Sequence, residues 1–182
     1  MSMENRDFTA FETERLRLRR PAREDAKNIF ECYASDQEVM RWLGWPRHTS
    51  LDDTYRFLDF SDDQWREWPA GPLLIESKVE GVLIGSTGLT FVDATSAMTG
   101  YVLSRNNWGC GYATEAVRAM IKLSTSLRVS RLFALCHPSH AASRRVLEKC
   151  GFEFDGSLAT QFPNLPGRPM IDAQCYALAP IG

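Results

Sequence analysis

From Glu14 to Arg20 apolar and polar positions alternate. Leu16 and Leu18 fall on one face and Arg15, Arg17 and Arg19 on the other, the period of a half-buried strand. After Pro21 the period lengthens: Ala26, Ile29, Phe30 and Tyr33 follow the i, i+3, i+4, i+7 rule and predict a helix with one apolar stripe. A short helical stretch follows near Gln37 to Leu43. Ser50 and Asp53 then stand in capping-box positions, with Asp in the place usually held by Glu. They start a helix whose apolar face includes Leu51, Tyr55 and Leu58. Leu73 to Lys78 and Val82 to Thr90 read as strands joined by the turn Val79-Glu80-Gly81, and Ala97 to Ser104 as a third. Tyr112 to Leu127 is the clearest long helix and Arg131 to Cys136 a short apolar strand. Ala141 to Lys149 is a helix that stops at Gly151, and Phe152 to Thr160 and Pro169 to Leu178 close the chain as strands. The order β-α-α-β-β-β-α-β-α-β-β predicts an α/β fold with a mixed sheet.

Pro and Gly cluster at 69–72 and 163–169, which read as connections, and no repeat or long linker divides the chain. A chain of 182 residues, 44% hydrophobic, is one domain's worth of sequence with enough apolar material for a core. Collagen-like, low-complexity and disordered classes are excluded by composition. With 21 basic against 23 acidic side chains the net charge is −2, so no nucleic acid or membrane surface is expected as a partner. No apolar run approaches the ~20 residues that span a bilayer. Met1 to Asp7 lacks the apolar core of a signal peptide, so a cytoplasmic placement is expected. Cys32, Cys110, Cys136, Cys150 and Cys175 are odd in number and widely spaced, which favours reduced thiols over a disulfide framework.

The most chemical-looking segment is Asn106-Asn107-Trp108-Gly109-Cys110-Gly111-Tyr112-Ala113-Thr114-Glu115-Ala116, which joins a strand to a helix. Two glycines let the backbone come close to a ligand, and the first helical turn presents free N–H groups that suit a phosphate or pyrophosphate. A P-loop needs a lysine after the second glycine, and none follows Gly111. A Rossmann loop needs a third glycine where Thr114 stands, and an acid at the end of the next strand, which instead reads Ala134-Leu135-Cys136-His137. Coenzyme A, whose pyrophosphate needs the amide cradle without that acid, is the third reading. By itself Gly-x-Gly is equally well a tight turn.

Context decides between them. Trp108 to Ala116 resembles the acetyl-CoA pyrophosphate loop of the GNAT superfamily of N-acetyltransferases, in the form found in the ribosomal-protein (RimJ/RimL-type) branch. Thr13 to Arg19 resembles that branch's first strand, Val82 to Leu89 its third, His140 to Phe152 the helix beside the pantetheine arm, and Asp172 to Leu178 its last strand. The resemblance covers residues 13–178, one N-acetyltransferase domain after an N-terminal extension at 1–12. It also has departures. Asn106 stands where the superfamily loop often begins with Gln or Arg, and His140 where the later helix usually opens with Asn. Ala97-Met98-Thr99 precedes Gly100-Tyr101 where the branch tends to carry Glu. Ala159-Thr160-Gln161-Phe162 holds no acid where some members place a water-positioning carboxylate.

The resemblance implies transfer of an acetyl group from acetyl-CoA, without a metal, to a primary amine by direct attack. A protein or peptide N-terminus is favoured and a small amine is the other acceptor class. It implies that N–H groups near Leu103 and Ser104 polarise the acetyl carbonyl. The amides of Gly109, Cys110, Gly111, Tyr112, Ala113 and Thr114 would hold pyrophosphate, with His140 and Ser143 also on the cofactor. Ser143 would protonate the thiolate, against the ordinary reading of a first-turn hydroxyl that bonds the backbone. Arg105, Arg144 or Arg145 would meet phosphates. Trp42 and Trp45 lie in a region that resembles the acceptor wall, and serve equally well as core or dimer contacts. Glu76 and Asp93 are bases only by placement.

An α-amine has a pKa of only about 7.7–8.0 against about 10.4 for lysine, so the missing acid favours an α-amine acceptor. A zinc site from Cys136, His137, His140 and Cys150 is discounted. Strand neighbours face opposite ways, and ten residues of helix separate the last two by about 15 Å. A GNAT-like domain that holds CoA without turnover is the rival reading, and a Rossmann oxidoreductase the distant third. Monomer and homodimer both stay open.

Overall fold

In a computed structural model, residues 10–167 and 169–179 are described; residues 1–9, most of the expected extension, lie outside them. Ala10–Glu12 of that extension is a strand, β1, antiparallel to β2 (Leu16–Arg19), so the sheet begins earlier than the resemblance placed it. Three residues are too few for a readable period. The first helical run starts as a 3-10 turn (Arg23–Asp25), continues as α1 (Ala26–Ile29) and ends as a π-helical turn over Phe30–Ala34. The predicted stripe holds: Ala26, Ile29 and Tyr33 are buried. Next come α2 (Gln37–Met40), α3 (Leu51–Glu67), β3 (Pro72–Ser77), β4 (Val82–Phe91), β5 (Ser96–Leu103), α4 (Tyr112–Ser126), β6 (Arg131–Cys136), α5 (Ala141–Lys149), β7 (Glu153–Gln161) and β8 (Met170–Ala177). The capping box forms at Ser50 and Asp53, but Leu51 is 40% exposed. Of the expected face Leu58 is buried and Tyr55 packs against the core, while Thr54 and Ser61 complete the inward side of α3.

Eight strands make one mixed sheet in the order β1-β2-β3-β4-β5-β6-β8-β7, with β5–β6 its parallel pair. Both faces are covered. On one, α4 and α5 pack Ala116, Val117, Met120 and Leu147 against Leu16, Leu18, Leu73, Ile75, Ile84 and Leu103. On the other, the first helical run, α2 and α3 pack Ile29, Tyr33, Met40 and Leu58 against Leu74 and Val102. Leu73, Leu74 and Ile75 are therefore all fully buried, as a strand covered on both sides requires. Arg19 ties the layers together. Its guanidinium forks onto both Asp25 oxygens at 2.7 Å while its Nε donates to Glu76 at 2.6 Å.

Candidate functional site

The parallel pairing of β5 with β6 spans only Ser96–Met98 against Arg131–Phe133. Beyond it β6 pairs with β8 and β5 with β4 alone, so the sheet opens as a wedge between the ends of β5 and β6. The β4–β5 ladder decides which amides face that wedge. Ser104 donates its N–H to the Ile84 carbonyl at 2.8 Å. Because antiparallel pairing alternates, Ser104 and Val102 aim at β4 and Leu103 and Tyr101 aim into the wedge. Of the two amides expected to meet an acyl carbonyl, Ser104's is already committed and Leu103's is the one aimed into the opening.

After β5, the Ser104 carbonyl and hydroxyl hold Asn107, through its amide at 3.0 Å and its Nδ2 at 2.7 Å. The Trp108 indole donates back to the Leu103 carbonyl at 2.8 Å. Gly109 and Gly111 then adopt φ of 75° and 82°, the left-handed region that glycine enters without strain. A Cβ on Gly109 would fill open space, and one on Gly111 would come within 3.3 Å of the Arg15 guanidinium. The first helical bond of α4 runs from Glu115 N–H to the Gly111 carbonyl. The amides of Tyr112, Ala113 and Thr114 precede that bond and lie at the positive end of the helix. Backbone N–H groups, room beside Gly109 and a helix dipole fit a diphosphate. A groove of about 490 Å³ flanks the loop and carries Arg15, Arg118 and Lys122.

Glu115 is a residue of this loop to which sequence reasoning gave no role. Its carboxylate accepts from Thr13 Oγ1 at 2.5 Å, the Arg15 amide at 2.8 Å and Arg15 Nε at 2.7 Å, and Arg15 also donates to the Cys110 carbonyl at 2.9 Å. Burial pushes the Glu115 carboxyl upward. The bonds from Thr13 and Arg15 outweigh burial and hold it below its ordinary value. The β1–β2 turn is thus clamped to the glycine loop. Arg15 is one of the regular polar positions of the first alternating run, and its partner is a hundred residues away, so no local pattern marks the pair.

Across the wedge, Ser143 on α5 interacts with both the Tyr101 phenol and the Cys136 thiol. Burial, partly opposed by that Ser143 contact, pushes Tyr101 up to about 12, and burial raises Cys136 as well, so both keep their protons at neutral pH. Cys136 faces the α4–α5 core and its neighbour His137 the opposite side. There the Trp42 ring lies 4.8 Å from His137 and stacks on His140 at 5.5 Å, and Phe162 meets His137 edge-on at 4.8 Å. His137 Nδ1 accepts the Ser139 amide at 3.0 Å, which puts the ring proton on Nε2, and that buried atom has no partner. Trp45 is 45% exposed and only its carbonyl is engaged, by Asn164 at 2.8 Å. Trp42 thus stands at the wedge and Trp45 beside it on the surface.

Four further candidates have partners of their own. Glu76 is held by Arg19 and lies 3.7 Å from Arg17, and Asp93 accepts the amide and hydroxyl of Thr95. Arg105 is paired with Asp36 at 2.6 and 2.8 Å, and Arg144 lies 3.8 Å from Glu148. The five cysteines are free, and among the described residues no group of three His, Cys, Asp or Glu side chains gathers to hold a metal. No helix of the described residues is long and apolar enough to cross a membrane.

Comparison with known proteins bears on the family and the fold. Residues 15–153 match the family model described as an acetyltransferase (GNAT) domain. The chain is 32% identical over 169 residues to the uncharacterized N-acetyltransferase p20 of Bacillus licheniformis, covering 91% of this chain and 93% of that one. A GNAT-family acetyltransferase structure from Bacillus anthracis superposes with a TM-score of 0.79 at 24% identity, over 93% and 98% of the two chains. RimL, a ribosomal L7/L12 alpha-N-protein acetyltransferase solved with coenzyme A, superposes with a TM-score of 0.78 at 20% identity, over 91% and 94%. The two superpositions carry the fold.

Proposed function

Because this chain belongs to the GNAT acetyltransferase family, we propose that it transfers the acetyl group of acetyl-CoA to a primary amine, with a protein or peptide N-terminus as the favoured acceptor. The observation that carries the reading is the wedge itself. A strand end with an outward amide at Leu103 runs into a glycine loop whose amides converge at the start of α4. The amides from Gly109 to Thr114 hold the pyrophosphate, and Arg15, Arg118 and Lys122 line the neighbouring groove.

In this reading Leu103 N–H donates to the acetyl oxygen and gains strength as negative charge grows there during attack. The amine nitrogen forms the C–N bond, the C–S bond breaks, and its electron pair leaves on sulfur. Ser143, in contact with the Tyr101 phenol, passes a proton to that sulfur and is resupplied with one lost by the amine nitrogen. Trp42 walls the acceptor side. The α-amine preference rests on the low intrinsic pKa of such amines and on the candidate carboxylates Glu76 and Asp93 being engaged elsewhere. The test is a mass-spectrometric comparison of peptides with a free N-terminus against peptides with a blocked N-terminus and one lysine. Faster acetylation of the free N-termini is expected, and faster acetylation of lysine overturns the preference.

A further inference from the structure

The chain has three histidines, and the structure separates them sharply. His48 is buried, with Nδ1 held by Thr54 Oγ1 at 2.9 Å. His137 is 6% exposed, its Nδ1 taken by the Ser139 amide and its Nε2 sealed under Trp42 and Phe162. His140 alone is half-buried with neither ring nitrogen in a hydrogen bond among the described residues. It precedes the first residue of α5, one turn before Ser143, and its ring stacks on Trp42. It therefore stands between the side chain assigned to the leaving sulfur and the ring assigned to the acceptor wall. Three acids are already held by arginines: Asp36 by Arg105, Glu76 by Arg19 and Glu115 by Arg15.

We propose that His140 is the general base that takes the proton of the attacking amine. The inference rests on the acetyltransferase reading above and deepens it. A neutral ring nitrogen takes one proton from the ammonium, and the freed electron pair makes the C–N bond as the C–S bond breaks. The nitrogen loses a second proton as the amide forms. One proton goes through Ser143 to the thiolate and the other returns from His140 to solvent, so ammonium and thioester become amide, thiol and one proton. The titratable and charged groups around the ring are His137 at the end of β6, Cys136 with its thiol directed at the His140 carbonyl, Arg144 on α5 and Arg41 across Trp42. Burial and the neighbouring His137 both keep the imidazole neutral at pH 7, as a base must be.

The test uses the full chain with acetyl-CoA and the free-N-terminus peptide that shows the fastest thiol release, comparing wild type with H140N, H140Q and H140A. H140N and H140Q keep a polar side chain at this position while removing the base. For H140N, kcat/KM is expected to fall about 100-fold, within the range of a general base. The dissociation constant for acetyl-CoA should stay within about twofold, and the acid limb of the pH profile should disappear. Added imidazole should restore part of the rate in H140A. H140N or H140Q at near wild-type rate with the acid limb intact would overturn the assignment while leaving acetyl transfer standing. A wild-type protein that releases no thiol with any amine overturns both.

Discussion

The two walls of the wedge are built on different principles. The wall proposed for the cofactor is mostly backbone: the Leu103 amide, the turn at Gly109 and Gly111, and the first amides of α4, contiguous from residue 103 to 114. The wall proposed for the acceptor is side chains drawn from three separate places: Trp42 after α2, His137 and His140 at the end of β6 and before α5, and Phe162 after β7. A contiguous backbone cradle recognises what every member of a family shares. A wall assembled from distant side chains can change its ligand one residue at a time. Substitutions should therefore separate cofactor affinity from acceptor affinity.

The largest effect is expected at Gly111. Gly111→Val forces a β-branched residue to φ 82° and drives a side chain toward Arg15. The left-handed penalty alone is about 1–2 kcal/mol, and the displaced amides add to it. Acetyl-CoA affinity by calorimetry should fall roughly 100-fold, about 2.7 kcal/mol. Affinity within threefold of wild type would break the claim that this loop is the cradle.

Next is the clamp. Glu115→Ala leaves Thr13, the Arg15 amide and the Arg15 guanidinium without their acceptor. Charge-assisted hydrogen bonds are worth about 1.5–3 kcal/mol, so a loss of about 2 kcal/mol in stability is expected, together with a weaker cofactor complex. Chemical denaturation alongside calorimetry checks both. Trp42→Ala should do the opposite of Gly111→Val: acceptor KM rises about tenfold while acetyl-CoA affinity stays put, as for loss of one stacking aromatic wall. Equal losses of both affinities would merge the two walls into one.

The smallest effect is a pH dependence on the acceptor side. Burial is the first cause that lowers His48, His137 and His140, with Asp53 partly opposing it at His48 and His137 adding to it at His140. Below about pH 6.5 the unfolded chain binds protons that the folded chain refuses, so stability is full above that pH and declines as pH falls below it. Thermal melts at pH 7 and pH 5.5 should show a lower Tm at the acid end, and H48N should reduce that drop.

The contrast between the walls also explains what could be read in advance. The strand Arg131–Cys136 and the helix Ala141–Lys149 occur where their periods put them, because each carries a full local signal. The glycine loop was readable for the same reason. Four things were not. The strand at Ala10–Glu12 is too short for a period, and the π-helical turn at Phe30–Ala34 leaves the apolar stripe unchanged. The split between Leu103 and Ser104 depends on the register against β4, which no local pattern encodes. The stack of Trp42 on His140 joins residues that only the folded sheet brings together, so His140 read as a departure from a motif rather than as a free imidazole.

One measurement bears on the whole account most directly: thiol release from acetyl-CoA by the wild-type chain across peptide and small-amine acceptors, with the acetylated product counted by mass spectrometry. One thiol per acetylated amine, fastest with a free peptide N-terminus, is the predicted result. A thermal shift with acetyl-CoA but no thiol with any acceptor would contradict it and leave a protein that only holds the coenzyme.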